Sequence, residues 1–531
     1  MDNSDWLWWR DGVIYQVYPR SFQDSGNDGL GDLRGIISRL DYLQELGVSA
    51  IWLSPFYPSP DKDFGYDIAD HSAVDPRFGT LQDFNELVDQ SHARGIRLIL
   101  DLVLNHTSDQ HPWFMESRAS RDNPRRDWYI WREKPNNWIS YFGGKAWKFD
   151  PLTGEYFLHL FTQDQPDLNW RNLAVRQAQL DVVRCWLERG VDGFRLDVFN
   201  TYFKDAELRN NPAKFGISTV LTQVQKYNLD QPEMLPLLAE FRSILDTYPQ
   251  RYSVGETEHA TAQKAAAYCG TDRLHAAFSF ELVGFGGLGV RWNPRWIMER
   301  FQERERAFTK SALWPTTVTG NHDVKRPATR FSRREDDAMA KIAMFLLLTL
   351  RGTPFLYYGD EIGMRDLVLS RDEIMDPVGK AYWPFMKGRD GCRSPMQWDN
   401  SPQAGFSRAQ PWLMVHPNYT LRNVAAQRQD PLSILNLTKN LIALRKHIPA
   451  LLQGAMVFSK IGLPRILVYE RALPNQRLLC LCNFHKKPLK LEIGSLGNFN
   501  QLLLSTHPER QTLSFPILEL QPFEACLLLE V

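Results

Sequence analysis

The spacing of hydrophobic and polar residues divides the first part of the chain into short buried strands and amphipathic helices. Apolar residues recur at helical intervals over 32–47 and over 80–95, which predicts two helices. Three continuous apolar runs surround these helices and predict strands, at 13–18, 49–53 and 96–104. Strands that lack a polar face and alternate with helices are typical of a parallel sheet buried on both sides.

The same alternation resumes near residue 172 and predicts a fold class. Five further apolar runs predict strands, at 190–199, 251–255, 274–280, 315–319 and 354–358. Eight strands alternating with helices over 1–106 and 172–452 predict an α/β fold, a (β/α)8 TIM barrel. Residues 107–171 are rich in Trp, Pro, Asn and Gly and too many for a loop, so they predict an inserted lid domain after the third strand. A second irregular stretch, 363–423, is expected to overhang the same end of the barrel.

The last part of the chain has a different pattern. Over 453–531, strand-like apolar runs follow one another without helices between them. This pattern predicts a C-terminal antiparallel β-sandwich domain. Cys480 and Cys482 alternate within one of these runs, and we expect them to face opposite sides of the sheet.

Composition limits the partners of the protein. Lys plus Arg and Asp plus Glu both number 62, so no net charge attracts nucleic acid or an anionic membrane. No apolar run is long enough to span a membrane, and the first residues lack the pattern of a signal peptide. Six cysteines in 531 residues, none clustered with histidine, indicate reduced core thiols and a cytoplasmic protein. We expect a monomer or a weak homo-oligomer.

The segment GVDGFRLDVF (190–199) carries two opposite charges into a predicted buried strand. Arg195 and Asp197 are costly to bury unless they are paired. At the carboxyl end of a barrel strand, however, such charges point into an active-site mouth. A purely structural ion pair between Arg195 and Asp197 is the alternative interpretation.

Three other predicted strands also end in polar residues. These ends lie in the segments DLVLNH (101–106), VGETE (254–258) and TGNHD (319–323). Because barrel chemistry takes place at this end of the strands, we expect Asp197, Glu256 and Asp323 to meet in one cleft. Asp101 and Asn105 lie a step below the mouth and are expected to be scaffolding. Glu258 is expected to lie on a solvated rim.

Three converging carboxylates allow only a few kinds of chemistry. They can bind a metal, transfer protons, or act as nucleophile and acid at an acetal. Cleavage of a glycosidic bond needs one ionised and one protonated carboxyl group. Arg195 would keep Asp197 ionised while burial raises the pKa of Glu256, which would divide these two tasks. Metal ligation by His, Asp and Glu on the strands is the alternative at this point.

These segments resemble those of a known family. DLVLNH, GFRLDV, VGETE and TGNHD resemble, in order and placement, the four signature regions of the α-amylase family of glycoside hydrolases, family 13. QPDLNW (165–170) and GVSAIWLSPFYPSP (47–60) resemble two further family segments. Three more segments are similar to the α-glucosidase and oligo-1,6-glucosidase branch: WWRDGVIYQVYPRSF (8–22), FGYDIAD (64–70) and GCRSPMQWD (391–399).

The resemblance implies a retaining, exo-acting α-glucosidase for short α-gluco-oligosaccharides such as isomaltose and maltose, with no cofactor required for the chemistry. It implies that Asp197 is the nucleophile, Glu256 the general acid/base and Asp323 the third carboxylate, with Arg195 orienting Asp197. It also implies a pocket closed around the non-reducing glucose. The remaining substrate contacts implied for that pocket are Asp63, Tyr66, His106, His322 and Arg393.

A Gly-rich turn with alternating acidic residues, DSGNDGLGD (24–32), is a candidate structural site for Ca²⁺ or Mg²⁺. The ligands would be the side chains of Asp24, Asp28 and Asp32 and the carbonyl of Leu30. The branch usually has D-x-N-G-D-G here, whereas Gly and Asn are exchanged at positions 26 and 27 of this chain, which displaces one ligand. The alternative is a polar turn that caps the first helix.

The linkage and the acceptor are left open. Val198 follows the implied nucleophile, and in this branch Val at that position goes with α-1,6 preference. A glucosyl transferase or isomerase, of the sucrose isomerase or trehalose synthase type, would use the same carboxylates with another acceptor. Two further hypotheses are a non-catalytic relative, which predicts lost carboxylates and a membrane span, and a metal-dependent barrel hydrolase.

Overall fold

The central element of the protein is one parallel sheet of eight strands that curls into a nearly closed barrel. The computed structural model describes residues 6–216, 222–257, 261–283, 292–332, 336–507, 509–510 and 512–531, so Glu258 lies outside the described residues. The barrel strands, labelled in chain order, are β1 (Ile14–Val17), β2 (Ala50–Leu53), β3 (Arg97–Leu102), β4 (Gly193–Leu196), β5 (Tyr252–Gly255), β6 (Ala276–Ala277), β7 (Thr316–Val318) and β8 (Thr353–Tyr357).

The strands follow one another around the barrel in the order β7–β8–β1–β2–β3–β4–β5–β6. Each neighbouring pair is parallel, with Ile14 beside Ala50 and Asp101 beside Arg195. The hydroxyl of Thr316 on β7 donates to the carbonyl of Ala277 on β6 at 3.4 Å, across the point where the sheet would close. The predicted (β/α)8 TIM barrel is confirmed.

Several strands are shorter than the apolar runs that predicted them. β4 contains four of the ten residues of 190–199, and β6 only Ala276 and Ala277 of 274–280. The reason is that apolar residues mark burial, whereas a strand also needs a hydrogen-bonded neighbour. Asp197 therefore lies just beyond the end of β4, in the turn that follows it.

Helices surround the barrel. The longer ones are Leu81–Ala93, Leu173–Glu188, Met234–Leu245, Pro294–Thr309, Ala338–Thr349 and Ile434–His447. Shorter ones are Trp8–Asp11, Pro19–Phe22, Leu33–Ser38, Leu40–Leu46, Pro112–Ser117, Ala262–Ala267, Pro327–Phe331, Pro377–Tyr382, Val424–Gln429 and Pro449–Gln453. The single helix predicted over 32–47 is wrong, because Arg39 leaves the helical conformation (φ −111°, ψ 7°). Over the described parts of the chain, no helix is both long and apolar enough to cross a bilayer.

The segment after β3 forms a small antiparallel sheet of its own. Its three strands are Trp131–Arg132, Trp147–Asp150 and Glu155–Leu158, with the last of them in the middle. Asp167 joins this insertion to the barrel through an ion pair of 2.7 Å with Lys204, and both side chains are fully buried. The exact domain bounds 107–171 and 453–531 stay predictions.

The C-terminal region consists of antiparallel sheets. Five strands form one sheet, Ala455–Ser459, Ile466–Leu473, Gln476–Asn483, Ala525–Leu529 and Gln501–Ser505, and Leu489–Glu492 pairs with Ile517–Leu520 in another. Cys480 and Cys482 lie in the same hydrophobic cluster, so the expectation that they face opposite sides is wrong. Residues two apart in a strand share a side of the sheet. All six cysteines are free thiols.

Candidate active site

The interior of the barrel becomes polar at the carboxyl ends of its strands. Ile99 on β3 belongs to the apolar cluster inside the barrel, and Asp101, two residues further on, points to the same side. Asp101 lies beside Arg195 of β4, and its Oδ1 accepts a hydrogen bond from Arg195 Nη1 at 2.6 Å. The guanidinium of Arg195 also lies 5.2 Å from the ring of Trp52. A buried cation thus forms the floor of the barrel mouth.

Arg195 holds three carboxylates at once. Its Nη1 donates to Asp197 Oδ1 at 2.6 Å as well as to Asp101, and its Nη2 donates to the carboxylate of Glu256. Asp197 follows β4 and Glu256 follows β5, so the two acids come from neighbouring strands. The structural ion pair between Arg195 and Asp197 therefore exists, but within a cluster of three acids. The guanidinium also takes the central position that a metal ion would need among them.

Burial changes the acidity of this cluster. It raises the pKa of Asp197 and of Glu256, and the charge of Arg195 opposes both shifts. Interaction with Asp197 raises the pKa of Glu256 further, so Glu256 is the group that keeps a proton longer as the pH rises. The sequence expectation for Glu256 agrees with this direction. For Asp197 we expected the charge of Arg195 to affect the pKa more than burial does. In the structure, burial has the larger effect on the pKa of Asp197.

Asp323 lies after β7 in a more open and more positive environment. Its side chain is 22% exposed, compared with 9% for Asp197 and Glu256. Arg393 Nη2 lies 3.0 Å and Arg389 Nη1 3.4 Å from Asp323 Oδ1. Although burial acts to raise the pKa of Asp323, His322 and these arginines lower it well below its usual range. Asp323 is therefore the permanently ionised carboxylate of the set.

His322 and Tyr66 form a stacked pair beside the carboxylates. Their rings are 5.3 Å apart and nearly parallel, and the Tyr66 hydroxyl lies 2.6 Å from His322 Nε2. Gln16 of β1 contacts His322 Nδ1 at 2.7 Å. Burial lowers the pKa of His322 to about 3, so the imidazole is neutral at physiological pH. Both residues lie beside the carboxylates, and their contact with a sugar stays a prediction.

Asp63 and His106 meet on another side of the mouth. Gln165 Nε2 lies 3.2 Å from Asp63 Oδ2 and 3.1 Å from His106 Nε2. Asp63 Oδ1 accepts a hydrogen bond from Arg389 Nη2 at 2.6 Å. The resemblance implied Arg393 as the arginine among the remaining substrate contacts. In the structure, Arg393 binds Asp323 and the carbonyl of His322.

Sequence reasoning therefore missed Arg389 and Gln165. Both had a signal, because Arg389 stands one turn before Arg393 and Gln165 opens the segment QPDLNW. Arg389 also binds Asp376 at 2.8 Å, which fixes its guanidinium between Asp63 and Asp323. Arg389 thus links two of the predicted site residues.

The insertion and the stretch after β8 meet at the site. The ring of Phe142, from the insertion, lies 5.1 Å from the Arg389 guanidinium. Next to it, Gly143 has φ 94°, and a Cβ there would overlap the Tyr382 hydroxyl. Only glycine fits this contact between the two segments. Both irregular stretches thus contribute walls beside Arg389.

The acidic turn over 24–32 acts as a cap in the structure. Asp24 accepts hydrogen bonds from the backbone N–H groups of Asn27 and Gly29, and Asp32 caps the helix Leu33–Ser38 through the N–H of Gly35. Asp28 accepts from the N–H of Leu30 at 2.9 Å. Within the described part of the chain, no cluster of three or more His, Cys, Asp and Glu side chains is arranged to hold a metal. The residues present therefore fit the capping turn better than a cation site, and metal binding stays a prediction.

A large cavity elsewhere offers no competing site for acid chemistry. About 680 Å³ of space lies between the helix Ile434–His447 and the strand Gln501–Ser505. Its lining includes Lys341, His447 and Arg510, and none of its lining residues is an acid. The three carboxylates at the barrel mouth remain the candidate active site.

Comparison with known families identifies the catalytic domain. The model of the α-amylase catalytic domain matches residues 16–454. The chain belongs to the α-amylase family. This α-amylase-family protein is 42% identical to a probable α-glucosidase of Rhizobium meliloti (strain 1021) over 507 residues, 92% of this chain and 91% of that protein. It is 39% identical to an oligo-1,6-glucosidase of Parageobacillus thermoglucosidasius over 557 residues, with 98% of each chain covered.

Solved structures of related enzymes extend the family likeness to nearly the whole chain. The α-glucosyl transfer enzyme XgtA superposes with a TM-score of 0.93 at 40% identity, covering 99% of this chain and 100% of XgtA. The trehalulose synthase MutB from Pseudomonas mesoacidophila MX-45 gives 0.90 at 34% identity, covering 98% of this chain and 99% of MutB. The α-amylase-family protein is thus a family 13 glycoside hydrolase with α-glucosidase relatives and with transfer enzymes among its structural neighbours.

Proposed function

We propose that the protein is a retaining, exo-acting α-glucosidase that releases α-glucose from the non-reducing end of short α-gluco-oligosaccharides. The observation that carries the proposal is the shared guanidinium of Arg195, which holds Asp197 and Glu256 from neighbouring strands. Two carboxyl groups close enough for one guanidinium suit direct attack by one of them, since inverting enzymes need a wider gap for water. The α-glucosidase and oligo-1,6-glucosidase relatives support the same activity.

The proposed reaction has two displacements. The Asp197 carboxylate attacks the anomeric carbon while Glu256 gives its proton to the departing glycosidic oxygen, so an ester bond forms as the C–O bond breaks. Glu256, now ionised, takes a proton from water, whose oxygen attacks the same carbon. This step breaks the ester and releases glucose with its α configuration retained. The raised pKa of Glu256 supports its role as the proton donor.

The remaining site residues fit the binding of one glucose unit. Asp323 is the ionised acceptor for ring hydroxyls, and Asp63 and Arg389 would bind the far end of the sugar. Tyr66 and His322 offer a flat wall of two stacked rings. Phe142 packs over Arg389 at the far end of this site, and a ring at that position supports exo action.

The double displacement is tested by trapping and by substitution. Asp197→Asn should lower kcat for isomaltose and maltose by several powers of ten, because the attacking carboxylate is lost. Asp192→Asn is the matched control, since Asp192 is a buried, ion-paired acid at the other end of β4. It should lower thermal stability and leave kcat within a few-fold. A glucosyl donor with fluorine on its ring and an activated leaving group should add one fluoroglucosyl mass to the peptide containing Asp197, and labelling at another residue would contradict the assignment.

The preferred linkage is proposed to be α-1,6, with α-1,4 substrates also accepted. Val198 is buried directly after Asp197. We propose that its branched side chain narrows the space for the leaving group. A difference of one methyl group in a pocket changes the discrimination between two substrates by only about 1–3 kcal/mol. The preference is therefore a ratio of the two kcat/KM values and does not exclude either linkage. Val198→Thr should shift the isomaltose-to-maltose ratio of kcat/KM toward maltose. An unchanged ratio would dismiss Val198 as the selector.

A glucosyl transferase or isomerase is the second candidate, because the XgtA and MutB structures cover nearly the whole chain. It would form the same ester and pass glucose to a sugar hydroxyl instead of water. Incubation with isomaltose, maltose, sucrose, trehalose and panose, followed by NMR of the products, separates the two. Free α-glucose as the main product supports the hydrolase, and isomerised disaccharide supports the transferase. Full activity in strong chelator would exclude a metal-dependent hydrolase.

A further inference from the structure

The residue that follows Asp197 has an unusual backbone conformation. Val198 lies in the left-handed region, with φ 34° and ψ 38°. This region is unfavourable for a side chain branched at Cβ, and such residues persist only where surrounding contacts hold them. The Val198 side chain is buried in a cluster with Trp138, Leu160 and Phe161 of the insertion. The turn that aims Asp197 is therefore strained.

Thr201 is the residue that holds this turn. The Val198 carbonyl accepts two hydrogen bonds from it, one from the backbone N–H at 2.9 Å and one from the hydroxyl at 2.7 Å. On the other side of the turn, the Asp197 N–H donates to the carbonyl of Leu102 on β3 at 2.9 Å. Two contacts thus hold the backbone around Asp197: β3 binds the N–H of Asp197, and Thr201 binds the carbonyl of the next residue.

The Thr201 hydroxyl is in turn part of a buried polar chain. It lies 3.0 Å from Asn105 Oδ1, which also accepts a hydrogen bond from Lys204 Nζ at 2.8 Å. Lys204 then pairs with Asp167 of the insertion. All these side chains are fully buried, so water cannot replace a missing partner. The chain connects the turn after Asp197 to the point where the insertion joins the barrel.

We propose that Thr201 is a positioning residue for Asp197: its hydroxyl clamps the left-handed Val198 turn and so fixes the direction of the attacking carboxylate. The inference rests on the proposed function, because it assumes that Asp197 is the nucleophile. A nucleophile must be held close to its line of attack, and a displacement of about 1 Å can cost about a hundredfold in rate. Thr201 itself touches no reacting atom.

The test compares two substitutions at Thr201 with one at a matched threonine. Thr201→Val keeps the shape and removes the hydroxyl, and we expect kcat to fall about ten- to a hundredfold with KM changed less than about threefold. Thr201→Ser restores the hydroxyl and should keep most of kcat. Thr438→Val is the control, because Thr438 is also buried and donates to a main-chain carbonyl, that of Ile434, in a helix outside the site. It should leave kcat within about twofold.

A second background separates the clamp from general destabilisation. Val198→Gly removes the strain, since glycine adopts the left-handed conformation without cost. In that background, adding Thr201→Val should lower both kcat and Tm less than it does in the wild-type chain. Equal losses in both backgrounds, a Thr201→Val enzyme with wild-type kcat, or a Thr201→Ser enzyme as slow as Thr201→Val would each overturn the inference.

Failure of the proposed function would look different. If the wild-type chain released no glucose from any substrate of the panel, the nucleophile assignment would fail and the kinetic comparison would have no signal. The Tm comparison needs no substrate and would still decide whether Thr201 clamps the Val198 turn. If the wild-type enzyme is active but Thr201→Val lowers Tm equally in the wild-type and the Val198→Gly backgrounds, only the Thr201 inference is overturned.

Discussion

The ion pair between Lys204 and Asp167 gives the most quantitative prediction. Both side chains are fully buried, and Asp167 Oδ1 also accepts a hydrogen bond from the N–H of Leu160 at 3.0 Å. Lys204→Met removes the cation and leaves Asp167 as a buried charge without its partner. Breaking a buried pair on one side costs about 3–5 kcal/mol. Removing both charges in Lys204→Met/Asp167→Asn should cost much less, because Asn can still accept from Leu160 and no charge stays buried.

The loss should be visible where the insertion joins the barrel. The amides of Thr107 and Leu168 close this joint, with bonds to the carbonyls of Pro166 (3.3 Å) and Asn105 (3.0 Å). At about 1.4 kcal/mol per tenfold change, a loss of about 3–5 kcal/mol accelerates exchange through local opening by about two to three and a half powers of ten. Hydrogen–deuterium exchange with mass spectrometry measures these amides directly.

A partly exposed ion pair provides the control for this experiment. Lys264 and Asp230 are also ion-paired, but their side chains are 34% and 22% exposed, so Lys264→Met should cost no more than about 1 kcal/mol. Two results would refute the reasoning. The first is that the joint amides of Lys204→Met exchange at a rate within about threefold of the wild-type rate. The second is that these amides exchange faster in the double variant than in Lys204→Met.

Three further predictions concern single acids and one arginine. Glu256→Gln should lower kcat/KM for maltose by about 10²–10⁴, because the proton donor is lost. It should also remove the alkaline limb of the pH–rate profile, which is measured with an α-glucosyl fluoride because that substrate needs little acid catalysis. If the alkaline limb persists, it belongs to another group. Burial raises the pKa of Glu361, which accepts hydrogen bonds from Tyr15 and Tyr42. A carboxyl group with a raised folded pKa contributes stability below its unfolded pKa and loses it as the pH rises through the folded pKa. Glu361→Gln should therefore match the wild-type Tm near about pH 4 and exceed it near about pH 8, by differential scanning fluorimetry, and a lower Tm at both would contradict this. Arg389→Lys should raise KM about tenfold or more, because one ammonium cannot bridge Asp63, Asp323 and Asp376 as a guanidinium does. Initial-rate assays measure this KM, and an unchanged value would remove Arg389 from the glucose site.

The elements and acids that follow from local pattern were predictable from the sequence. Eight apolar runs gave the barrel, and polar residues at their ends gave Arg195, Asp197, Glu256 and Asp323 as neighbours. Burial and pairing leave a clear trace in the residue types themselves, because a charge within an apolar run is too costly to bury without a partner.

Features that depend on packing between distant segments were not predictable. The contact of Phe142 with Arg389 joins two loops of irregular sequence, and no periodicity marks either partner. Arg39 interrupts a helix whose apolar spacing continues without a break. The left-handed turn at Val198 contradicts the strand preference of valine, since tertiary contacts override a weak local preference.

The arginine beneath the barrel mouth has a consequence for charge balance during the reaction. With a proton on Glu256, Arg195 faces two anionic neighbours, Asp101 and Asp197, so this buried group carries one surplus negative charge. A neutral sugar in its resting form does not compensate that surplus. In the proposed reaction, the anomeric carbon becomes cation-like beside Asp197 as its bond breaks, while Glu256 gives its proton to the leaving oxygen. The total charge is unchanged, but a positive charge now forms next to the surplus anion. The fold thereby stores an attraction that a glucoside can use only at the moment of cleavage.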